Sequence, residues 1–150
     1  MSSLFAMVLT THIISGVVGV CASYAVLLFL LKRHVNRLSL AWSSFIAFFS
    51  YLVSWFSGGY YYVLYYGDNV KPIIKEGAYP WAHLVFMEAK EHLFLALPFS
   101  TLALYLVLFY ASDRLETNPD LKKSLIILSV TITAIATIIT LSGIIISGSA

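Results

Sequence analysis

Four apolar stretches dominate this chain, at about Leu4 to Leu31, Leu38 to Tyr66, Pro80 to Tyr110 and Leu121 to Ser147. Each exceeds the roughly 20 residues that a helix needs to cross a bilayer. In hydrocarbon every backbone N–H and C=O must be satisfied within the chain, so stretches of this length and polarity fold as helices. Composition agrees: 60% of the 150 residues are hydrophobic and 11% are charged, against about 25% charged in an ordinary soluble domain. The intervening segments, Lys32 to Arg37, Gly67 to Tyr79 and Ala111 to Asp120, are too short to hold another domain. The expected fold is therefore all-α, one integral membrane four-helix bundle over residues 1–150.

Charge reports topology. Lys32, Arg33, Arg37, Arg114, Lys122 and Lys123 flank the first and third connections, whereas the middle one holds only Lys71 and Lys75. The positive-inside rule then places both termini and the middle loop on the outer side of a bacterial or archaeal cytoplasmic membrane. The N-terminus has no basic region before its apolar run and reads as a retained first helix, not a signal peptide. The basic residues form no patch interleaved with aromatics, which argues against a nucleic-acid partner. The single cysteine, Cys21, cannot form an internal disulfide and is expected to be a small packing residue.

The chemistry is concentrated between Pro80 and Phe99, where His83, Glu88, Lys90, Glu91 and His92 interrupt an otherwise apolar helix. Each ionisable group at membrane depth costs roughly 2.5–3.5 kcal/mol by insertion measurements, so such residues are normally paired, turned inward or put to use. At about 100° per residue the five polar side chains share one half of the helical wheel, with Phe86, Ala89, Leu93, Ala96 and Leu97 on the lipid-facing arc. Measured from the helix starts, His12 lies about 12 Å below Leu4, and Glu88, Glu91 and His92 about 12, 16 and 18 Å below Pro80. On that estimate His12 and His92 share a level.

Two imidazoles on neighbouring helices suit the axial ligation of a b-type haem. The leading expectation is one haem b held by His12 and His92, with His83 as the alternative ligand and His34 left in the inner loop. Gly16 and Gly19, on the stripe of small residues below His12, would admit the porphyrin edge, and Gly58 or Gly59 would do so from the second helix. Glu88 or Glu91 would orient a ligand histidine. Lys90 and His83 would meet the propionates or a quinone head group. The arrangement resembles small four-helix membrane cytochromes b, in architecture and not in motif. That resemblance implies electron transfer between the quinone pool and an outward-facing redox protein, as a subunit beside other membrane proteins in the bilayer.

Other readings stay open at this point. The polar residues form a satisfied network in a cofactor-free structural subunit, with Lys90 paired to Glu91 and His12 bonded to a second-helix hydroxyl. Alternatively, Glu88 and Glu91 handle protons, or His12, Glu88 and His92 hold zinc or copper. The tyrosines of GGYYYVLYYG read as an interfacial girdle, and the Ser/Thr-rich fourth helix as packing. The sequence contains no P-loop, nucleophile elbow, GxGxxG or HExxH motif, so hydrolytic and nucleotide-dependent functions have no support.

Overall fold

A computed structural model describes residues 2–34 and 36–149, and among them every regular element is helical. Helix α1 is Ser3–Leu31. Helix α2, Arg37–Tyr61, continues through a π-helical turn, Tyr62–Tyr66, and the short Gly67–Asn69. A small α3, Lys71–Glu76, fills what the sequence suggested was a plain loop. The third span opens with π-helical Ala82–Met87 and runs through α4, Glu88–Phe94, and α5, Ala96–Ala111. Helix α6 is Pro119–Ser147. The four resulting rods, Ser3–Leu31, Arg37–Asn69, Ala82–Arg114 and Pro119–Ser147, are each long and apolar enough to cross a membrane.

Local chemistry explains the boundaries. Asn36 caps α2 by accepting from the Ser39 N–H at 3.1 Å, and Asn118 caps α6 by accepting from Leu121 N–H at 3.0 Å. Pro119 follows at the first turn of α6, where its missing N–H has no intrahelical partner to lose. Pro98 has no N–H to offer the Phe94 carbonyl, and the third span breaks into α4 and α5 at Leu95.

Helix α1 packs most extensively on α2, α2 on α5, and α6 closes the ring against α1 and α5. The α1–α2 contact works by setting a ring of one helix against a glycine of the other. A Cβ on Gly19 would lie 2.6 Å from the Tyr51 ring, and one on Gly58 would lie 2.5 Å from His12 Nδ1. The Tyr51 ring is 1% exposed and its hydroxyl meets Ser23 Oγ at 3.0 Å. A Cβ on Gly16 would lie 3.4 Å from Ser54 Oγ. Side chains of the partner helix thus occupy the gaps that the glycines open. Cys21 falls outside this packing stripe, which runs through Gly19, Ala22, Ser23 and Val26, and is exposed on the outer face of α1 instead of buried.

The apolar core is divided. A large cluster centred on Val26, Leu40, Ala47, Tyr51, Leu104, Leu108 and Ile132 fills the bundle. A smaller one, Tyr66, Ile74, Ala82 and Ile146, lies at the end bearing the chain termini. Ile74 is fully buried there, so α3 folds back as a cap and is not a free loop. At the opposite end the basic residues gather, and Lys122 Nζ donates to the Lys32 carbonyl at 2.7 Å.

Filling the Gly19 gap is expected to overpack a core with no slack. Gly19→Val should destabilise the protein by about 1–3 kcal/mol, seen as a lower midpoint of thermal unfolding in detergent. Gly59→Ala, whose Cβ would meet nothing within 4 Å, should leave that midpoint unchanged or raise it.

Candidate functional site

Beneath the cap, all four spans contribute to a cavity of about 440 Å³. His12 enters from α1, Trp55 and Gly58 from α2, Lys90 and Glu91 from α4, and Gly143 from α6. Measured from the basic ends of the helices, at 1.5 Å per residue, these positions lie about 27–36 Å away. Hydrocarbon is about 30 Å thick. The cavity therefore lies toward the capped end of spans that are longer than a bilayer requires, on the cap side of their midpoints.

The His12 ring is held by one residue of α2. Its Nδ1 lies 2.8 Å from the Ser54 carbonyl and 3.0 Å from Ser54 Oγ, while that hydroxyl donates to the His12 carbonyl at 3.1 Å. A carbonyl only accepts, so Nδ1 carries the hydrogen and Nε2 keeps its lone pair in the neutral imidazole. The sequence-based expectation that His12 bonds a second-helix hydroxyl matches this geometry. Gly58 is the condition for it, since any larger residue would collide with the ring.

Opposite His12, the third span turns Met87, Lys90, Glu91 and Phe94 into the cavity. The Lys90 ammonium reaches across to α6, where a Cβ on Gly143 would lie 3.5 Å from Nζ. Tyr62 and Tyr66, one turn apart in the π-helical extension of α2, stack at 5.2 Å and close the top. Behind them His83 is buried, its Nδ1 3.0 Å from the Tyr66 hydroxyl. Long π-helical turns are rare and concentrate at functional sites, and the two among the described residues flank the cavity.

The cavity brings together His12, Gly58, Lys90 and Glu91 from the residues expected on sequence. It leaves out Gly16, Gly19, His83, Glu88 and His92. The anticipated axial pair is not assembled inside the bundle: His92 is exposed on the far side of α4, its Nδ1 donating to the Glu88 carbonyl at 2.7 Å. Nor do His12, Glu88 and His92 converge, for no group of three or more His, Cys, Asp or Glu side chains forms among the described residues. The shared polar half of the wheel is in fact divided: Lys90 and the still exposed Glu91 line the cavity, whereas Glu88 and His92 are exposed away from it. Leu97, assigned to the lipid side, is 1% exposed. The π-helical start and the break at Leu95 shift the helical phase that a uniform wheel assumes.

Three lining features were not singled out. Trp55 carries no sequence signal, and Gly143 looked like packing. The tyrosines did carry one: Gly58, Tyr62 and Tyr66 recur every fourth residue, which places them on one helical face. The chain matches no protein-family model, no curated protein and no solved structure.

Removing the Tyr66 hydroxyl leaves His83 Nδ1 buried without its partner. Tyr66→Phe should cost about 1–3 kcal/mol, measured by chemical unfolding in detergent, and Tyr65→Phe, at a more exposed ring, should cost far less.

Proposed function

We propose that this cavity binds the ring of a lipophilic quinone-class carrier, and that the chain is the quinone-handling subunit of a membrane redox assembly. The reading rests on one observation: a chamber toward the capped end of the spans combines aromatic and aliphatic walls with a cation, a carboxylate and an imidazole on facing sides. Ligand sites are mostly apolar with a few placed polar groups, in volumes of about 300–1,000 Å³. Lys90 donates to a ring carbonyl oxygen, and the tyrosine hydroxyls at the top offer further donors. Glu91 and the Nε2 lone pair of His12 accept protons from a reduced ring's hydroxyls. Electrons pass to or from an outward-facing redox partner, with both termini and the cap on the outer side and the basic end inside, as the distribution of lysine and arginine supports.

A second reading is favoured by the orientation of His12. An imidazole whose Nδ1–H is fixed by a carbonyl presents Nε2 as a metal ligand, so the same chamber suits one b-type haem held through His12, with the Met87 thioether on the opposite wall as a further ligand. In both readings the protein serves electron transfer between the quinone pool and a partner.

Titration of the purified protein with a short-chain quinone should quench the Trp55 fluorescence, and Trp55→Phe identifies that component of the signal. Lys90→Met removes a charged hydrogen bond worth about 1.5–3 kcal/mol, or roughly ten- to a hundredfold in Kd. Glu91→Gln should affect proton uptake on reduction more than affinity. Saturable quenching that Lys90→Met leaves untouched would overturn the quinone reading. A reduced-minus-oxidised visible spectrum of protein expressed with haem supplied decides the second: b-type bands lost in His12→Ala support it, and a colourless protein rejects it.

A further inference from the structure

Toward the cap the second and third spans part. Helix α2 packs on α5, but α4, the stretch of the third span on the cap side of the break at Leu95, packs on α6 and hardly meets α2. Nearest the chamber the two spans touch through Trp55 and Phe99, whose rings meet edge to face at 6.5 Å. The spans run in opposite directions, so the next turn toward the cap sets Gly59 opposite Leu95, about 6 Å further along. Gly59 brings no side chain, and a Cβ there would meet nothing within 4 Å. Both residues line the chamber and both are exposed, as is Glu91 one turn nearer the cap. Residues seen from inside and outside at once mark an opening. The slot closes again at the cap, where the Tyr66 hydroxyl meets His83 Nδ1 at 3.0 Å.

We infer that this slot holds the tail of the guest: the chamber takes the ring of an isoprenoid or alkyl quinone, and its chain leaves sideways between the second and third spans. The inference rests on the quinone reading and extends it to the class of guest. Size supports it. A chamber of about 440 Å³ lies toward the lower end of the volumes that enclose a drug-sized ligand, about 300–1,000 Å³. A substituted ring fills it, and a long chain stays outside. Direction supports it too. The slot opens along the flanks of two helices that are each long and apolar enough to cross a membrane. Beside it Leu95 is 45% exposed, and Phe99, one turn further from the cap, 63%. A chain leaving there runs over apolar side chains, whereas α3 on the cap side carries Lys71, Lys75 and Glu76. Among the described residues the other exposed member of the lining is Ser147, at the end of α6, and it marks the rival exit.

The test is photolabelling of the full chain with a benzoquinone that carries a diazirine on the first few carbons of a decyl tail. Peptide mass spectrometry should place the label within residues 95–99 or 55–59, and an excess of the tail-free quinone should suppress it. Gly59→Leu fills the slot from a position where the fold has room. It should lower the yield of that label about tenfold, the scale of overpacking a filled space. Suppressible label on α3 or beside Ser147, a yield that Gly59→Leu leaves unchanged, or quenching of Trp55 by the probe with no label between the two spans would overturn the inference. A probe that neither quenches Trp55 nor labels the chain removes the quinone reading, and this inference with it. The position of the label is read on the unaltered chain, so it decides the matter even if the variant does not fold.

Discussion

The close approach of α1 and α2 is the contact on which the other features depend. Two rings, Tyr51 and His12, lie where Gly19 and Gly58 have no side chain, and this brings the helix backbones together along their length. Without a hydrophobic drive between helices in lipid, association relies on such van der Waals fit and on buried hydrogen bonds. One residue, Ser54, then does two jobs. Its hydroxyl packs beside Gly16 and its carbonyl fixes the His12 ring. The orientation of the His12 ring is thus a by-product of how the first two helices pack.

The terminal end of the bundle has a different construction. There the second and third spans are wound into π-helical segments and folded over by α3. A π-helical turn advances each side chain less far around the axis than an α-helical one. Residues at intervals of four keep to one side, which is how Tyr62 and Tyr66 both reach the chamber. The same altered phase, followed by the break before Pro98, divides the polar residues of the third span between the chamber and the outer face.

The four spans, their approximate limits and the concentration of chemistry near residue 90 were legible in the sequence, because length and hydropathy decide what crosses a membrane. His12, Gly58, Lys90 and Glu91 were also legible as candidates, and the fold brings all four to one cavity. The partner of His12 across the chamber was not. A helical wheel tells which residues share a side, but the direction of the bundle centre depends on where α2 and α6 stand, and no single segment encodes that. The room beside Gly16 and Gly19, expected to admit a ring edge, was unreadable for a related reason. A small-residue stripe makes room without naming the occupant, and here the occupants of that room are Tyr51 and Ser54. Ile74 went unnoticed because an isolated apolar residue in a short connecting loop has no periodicity to mark it.

The division of the core into two clusters separates the stability of the protein from the accessibility of its chamber. The larger cluster holds the spans together, while the lid depends on the few contacts around Tyr66, Ile74, Ala82 and Ile146. Cooperative units of unequal size open independently, each with its own free energy. In the proposed binding role, a guest would be admitted by fraying the lid alone, with residence time set by a handful of residues that contribute little to the melting of the bundle. Natural variation in α3 would then change how fast the chamber exchanges its contents without changing what the chamber recognises.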